Sequence, residues 1–81
     1  MESKLHQRIA AEIRADMARK KITQSTLMEA LLMTQPSLSK RLTGERPFTL
    51  SEMEKVCGVL RIAPNELLRR ANDVDLQAAA S

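Results

Sequence analysis

The sequence predicts an all-α domain of five helices, and three observations carry that reading. Apolar residues recur three and four apart along most of the chain. Hydroxyl residues able to cap a helix precede four of the periodic stretches, at Ser3, Thr23, Thr34 and Thr49. Pro64 then stands where the first turn of a fifth helix would take it. The chain has 81 residues, the size of one small domain. No Pro-, Gly- or Ser-rich linker and no internal repeat divides it.

The first helix is expected over residues 4–20, with Ser3 as its cap. Leu5, Ile9, Ile13 and Met17 recur every four residues, with Ala10 and Ala18 filling in. Lys4, Arg8, Glu12, Arg14, Asp16 and Arg19 fall on the remaining faces, so all six are expected in solvent, as is His6 near the start. Arg19, Lys20 and Lys21 close the helix where positive charge suits the macrodipole.

Two short helices meeting at a tight turn follow, between Ile22 and Gly44. Thr23 caps the first, which carries Leu27, Ala30 and Leu31. The second opens at Thr34 or Gln35 and carries Leu38 and Leu42, four apart and so on one face. Its other positions are Gln35, Pro36, Ser37, Ser39, Lys40 and Arg41. A helix with two apolar anchors and an outer face of Gln, Ser, Lys and Arg builds little core. It suits a polyanion that presents hydrogen-bonding edges, and the major groove of DNA is such a surface.

Gly44 can take a positive φ and stop that helix. Phe48 is expected as a core plug under the loop. Thr49 and Glu52 form a capping box, T-L-S-E, ahead of a stripe of Met53, Val56, Cys57 and Leu60. Pro64 opens the fifth helix without a side-chain cap, docked by Leu67 and Leu68. Residues 71–81 read as a short tail, disordered by default, that could instead extend the fifth helix, pair with a second subunit or serve as a proteolysis tag.

The stretch from Ile22 to Gly44 resembles the helix-turn-helix of the phage-repressor superfamily (Cro/repressor-like, also called XRE). Gln24, Leu27, Thr34, Leu38-Ser39-Lys40 and Gly44 stand at the pattern's positions, and Thr49–Leu68 is similar to the family's fourth and fifth helices. The resemblance covers roughly residues 12–70. It implies a compact five-helix repressor-like fold, with the helix-turn-helix formed by the second and third helices. The implied division is a DNA-binding domain at 1–70 and a tail at 71–81. Two departures stand out: Leu32 where the family often has Gly in the turn, and Met28 where it often has Ala. A left-handed turn residue is easy for Gly and strained for others.

Charge follows the same division. Residues 1–48 carry nine basic and five acidic side chains, and residues 49–81 four and five. The basic excess therefore sits in the half with the helix-turn-helix, as a phosphate-facing surface requires. Phe48 is the only aromatic, which argues against single-strand binding by base stacking and leaves duplex readout open. One Cys and one His, no ligand-spaced cluster and no Gly-rich phosphate loop leave little for catalysis. Neither a metal, a cofactor nor a small-molecule ligand is expected. Cys57, on an apolar stripe, reads as an inert core thiol. No apolar run approaches the roughly 20 residues of a membrane span, no signal peptide is visible, and a cytoplasmic location follows as an expectation.

With the resemblance in hand, Gln35, Pro36, Ser39 and Lys40 are the expected base-reading residues. Gln suits adenine, Lys suits guanine, Ser suits several edges, and Pro36 can touch only a thymine methyl or shape the helix start. Gln24, Ser37, Arg41, Thr43, Arg46, Lys20 and Lys21 are the expected phosphate contacts. For Arg41 an ordinary surface charge is an equal alternative. The expected function is sequence-specific binding of a double-stranded DNA operator by a transcriptional regulator, with a phage or prophage immunity repressor as its setting. The alternatives are a toxin–antitoxin autoregulator and a helical protein-interaction module. Binding as a homodimer on a two-fold site and as a monomer on an asymmetric one both remain open.

Overall fold

The computed structural model describes residues 4–80, with side chains through residue 72. Five helices follow in order: α1 (Leu5–Lys20), α2 (Gln24–Leu31), α3 (Gln35–Leu42), α4 (Leu50–Leu60) and α5 (Pro64–Ala80). Among the described residues there is no strand. The expected caps Thr23, Thr34 and Thr49 each accept the backbone N–H three residues on, and Glu52 completes the box on Thr49. Ser3 lies outside the described residues, and Lys4 occupies the N-cap of α1.

The helices close on one aliphatic core. Ile9, Ile13 and Met17 enter it from α1, Leu27 and Leu31 from α2, and Leu38 and Leu42 from α3. Met53, Val56, Cys57 and Leu60 enter from α4, with Phe48 sealing the loop before it and Leu67 and Ala71 completing it from α5. Fully burying one such leucine contributes about 1.5–3 kcal/mol. Helix α1 packs against α3, α4 and α5, while α2 lies between α3 and α4. Cys57 is buried in the core, as expected, and burial drives its thiol pKa up, helped by the negative charge of Asp16.

Four expectations change. Leu5 is exposed and Ala18 faces solvent. His6 is half-buried, and its Nε2–H donates to the Gly44 carbonyl at 3.0 Å. Helix α5 runs on to Ala80, the continuation that the sequence left open for residues 71–81, and Ala71 is fully buried. The largest change is Asp16, which is 1% exposed. Its carboxylate accepts from Arg19 at 3.0 Å and Lys20 at 2.7 Å, with Arg70 of α5 at 3.6 Å. Lys20 Nζ also donates to the Leu60 carbonyl, the last residue of α4. Asp16, with Lys20, thus ties the ends of α1 and α4 to the interior of α5, with three cations offsetting the carboxylate's loss of water. Burial alone would raise its pKa. The hydrogen bonds and charges of Lys20 and Arg19 outweigh that and hold the group below the usual carboxylate range.

Three helices end the same way. Lys21, Leu32 and Arg61 take left-handed φ of 56°, 54° and 57°. After each, the next amide turns back five residues: Ile22 to Met17, Met33 to Met28 and Ile62 to Cys57, at 2.9–3.1 Å. Ile22, Met33 and Ile62 all pack against the core, and that apolar contact fixes the turn although none of the left-handed residues is glycine. The turn of the helix-turn-helix is therefore made on Leu32, whose side chain is 88% exposed. Met28 is half-buried against the core beside it.

Two stability predictions follow from these features. Asp16→Asn should cost about 3 kcal/mol at pH 7, as breaking a buried charge cluster does. A carboxylate whose folded pKa is lowered contributes stability above its unfolded value of about 3.9 and loses it as pH falls through the folded value. Urea denaturation across pH should therefore show an acid decline in the natural chain that the variant has lost in part. Equal slopes in both would remove Asp16 from this role. Leu32→Gly, which relieves the left-handed strain and uncovers no core, should raise stability by up to about 1 kcal/mol. A loss would mean that the exposed side chain makes a stabilising contact.

Candidate nucleic-acid interface

Helix α3 is seated by Leu38 and Leu42, which are 0% and 4% exposed. Their burial fixes the roll of the helix. Gln35, Pro36 and Lys40 then stand in solvent, with Ser37, Ser39 and Arg41 half-buried at the flanks. Pro36 sits in the first turn, where its missing N–H breaks no bond. The far end of α3 is held from α1, where the Arg14 guanidinium donates to the Leu42 carbonyl.

The two glutamines predicted from the pattern meet across the turn. Gln35 Nε2 donates to Gln24 Oε1 at 3.3 Å. That contact links the first residue of α2 to the first residue of α3. It leaves the Gln24 amide N–H groups and the Gln35 carbonyl oxygen facing outward, as a donor for phosphate and an acceptor for a base edge.

Thr34, Pro36, Ser37, Lys40, Arg41 and Arg46 line one shallow hollow beside α3. Gly44, at φ 83°, turns the chain so that Arg46 reaches it. A Cβ on Gly44 would stand 3.1 Å from Cγ and 3.3 Å from Cα of Gln7, so the loop and α1 approach as only glycine allows. Among the described residues no acidic side chain pairs with Lys21, Lys40 or Arg46. These are free cations, two of them on the hollow.

Other expected phosphate contacts are engaged inside the protein. Lys20 is committed to Asp16 and the Leu60 carbonyl. Thr43 donates its hydroxyl back to the Lys40 carbonyl at 3.2 Å. Arg41 donates Nε–H to Glu52 Oε1 at 3.0 Å, and Nη1–H to the Ser37 carbonyl and hydroxyl at 3.0 and 2.8 Å. Glu52 Oε1 also accepts the Thr49 N–H at 2.9 Å. Burial pushes the Glu52 pKa up, but the Thr49 N–H and Arg41 hold it below the usual carboxylate range. The capping box was readable in sequence. The bond that Arg41 brings to it was not, because nothing local sets α3 beside α4.

Residues 12–73 match the family model of the Cro/C1-type HTH DNA-binding domain. The chain belongs to that family. The Cro/C1-type fold also aligns with two crystal structures of the clp gene regulator ClgR from Corynebacterium glutamicum. One is 27% identical with a TM-score of 0.86, over 99% of this chain and 86% of that one. The other is 25% identical with a TM-score of 0.81, over 90% and 95%. No curated protein matches the chain. Among the described residues no helix is long and apolar enough to cross a membrane, and no cluster of acidic, His or Cys side chains could hold a metal ion.

Proposed function

We propose that this Cro/C1-type domain reads duplex DNA site-specifically and regulates transcription, with α3 in the major groove. The single observation that carries the reading is the seating of α3: both leucines point inward, so Gln35, Pro36 and Lys40 are left in solvent on its outer face. Gln35, Ser39 and Lys40 reach base edges, and Pro36 meets a thymine methyl or shapes the helix start. Gln24 is held by Gln35 for a phosphate at the N-terminus of α2. Arg46, Lys21 and the Ser37 hydroxyl supply further phosphate contacts.

The clp gene regulator in the similar crystal structures supports a regulatory role for this chain as well. A phage or prophage immunity setting draws no support from those structures and rests on the repressor-type pattern alone. A toxin–antitoxin autoregulator would use the same surface. The reading is non-enzymatic and cytoplasmic. A two-fold operator about 34 Å between half-sites suits a dimer, and an asymmetric operator suits a monomer. A protein-interaction module is separated by one experiment. Retardation of random duplex DNA at low salt should be strong and should weaken steeply with added salt. No retardation at low salt would leave the interaction module as the better reading.

Within DNA binding, the glutamine and the arginine should fail differently. Gln35→Ala should lower affinity for the preferred site by about 1–3 kcal/mol and relax its sequence preference, measured against a randomised duplex pool. Unchanged preference would take Gln35 out of the readout. Arg46→Ala should weaken all sequences alike and reduce the slope of log affinity against log salt by about one. A retained slope would take Arg46 off the phosphate.

A further inference from the structure

The residue on the interface whose bonds least resemble a DNA contact is Arg41. Its side chain is 17% exposed, although it lines the hollow beside α3. Its guanidinium bridges two elements. One edge takes Glu52 at the first turn of α4, and the other takes the Ser37 carbonyl and hydroxyl one turn back on α3.

The consequence falls on Ser37. A serine hydroxyl has one proton to donate and two lone pairs to accept with. The Arg41 Nη1–H occupies a lone pair at 2.8 Å. Nη1 has no lone pair to offer in return, so the Ser37 proton must point elsewhere. Among the described residues no acceptor takes it. Ser37 thus faces the hollow as a fixed donor, in a wall that also carries Lys40 and Arg46. A phosphate oxygen accepts and never donates, so a serine held as donor is matched to it. A freely rotating hydroxyl would have to be ordered on binding.

We propose that Arg41 is a positioning residue for DNA binding: it locks the Ser37 hydroxyl as a phosphate donor and ties α3 to the first turn of α4, without itself touching phosphate. The proposal rests on the DNA-binding reading above. It separates Arg41 from Arg46, which has the same charge, lines the same hollow and makes no ion pair among the described residues.

The test is the salt dependence of binding to one duplex for the natural chain, Arg41→Gln, Arg41→Lys, Ser37→Ala and the Arg41→Gln/Ser37→Ala double variant. Thermal melts confirm that each is folded. Positioning predicts an affinity loss of about ten- to a hundredfold for Arg41→Gln, the size of one hydrogen bond to a charged group, at every salt concentration and with the slope unchanged. Ser37→Ala should lose about as much, and the double variant no more than either, because both remove one contact. Arg41→Lys should bind no better than Arg41→Gln, since an ammonium cannot bridge Glu52 and Ser37 as the planar guanidinium does. A slope reduced by about one in Arg41→Gln and restored in Arg41→Lys would make Arg41 a direct phosphate ligand and overturn the proposal. Additive losses in the double variant would overturn it too. Should Arg41→Gln fail to fold, Ser37→Ala alone decides: full affinity in that variant contradicts the proposal. If the natural chain fails to bind duplex at low salt, the DNA-binding reading itself falls, and the proposal with it.

Discussion

The interface depends on how α3 is pinned. An eight-residue helix is too short to hold its shape or orientation alone. Leu38 and Leu42 anchor one face in the core, Arg14 caps its last turn from α1, and Arg41 braces that turn to α4. Each fastening comes from a different direction. Together they leave one face with nothing inside the protein to meet. A reading surface needs that condition, because side chains placed within about half an ångström can discriminate base edges and loosely held ones cannot.

The rest of the fold supplies rigidity to that arrangement. The Asp16 cluster joins α1, α4 and α5 through one buried carboxylate, and α1 in turn carries Arg14 and the residues packed under the Gly44 loop. Removing water from a carboxylate is unfavourable, and the three cations offset that penalty without turning it into a large gain. What such a cluster gives is geometry: the ends of α1 and α4 and the interior of α5 have one register in which all these groups are paired.

The five helices, the threonine caps and the apolar faces were legible in the sequence because each rests on spacing within a few residues. So was the placing of Gln35, Pro36 and Lys40 on the open face, which follows from Leu38 and Leu42. The left-handed closures were harder to read. Leu32 was marked as a turn position only by the family resemblance, Lys21 and Arg61 carry no sign of a turn, and the apolar residue after each decides the matter only once it is packed on the core. Asp16, Lys20 and Arg41 were not legible as structural residues at all. Each looks like a surface charge until a helix distant in sequence is set beside it. The same holds for His6, whose partner Gly44 lies in another element.

The outward face of α3 as the DNA contact is tested most directly by titrating the isotope-labelled chain with a short duplex at low salt and following backbone amide resonances. Shifts should concentrate at Gln24, along Gln35–Leu42 and through Thr43–Arg46, leaving α5 and the middle of α4 unmoved. A response centred on α5, or none on α3, would contradict the account.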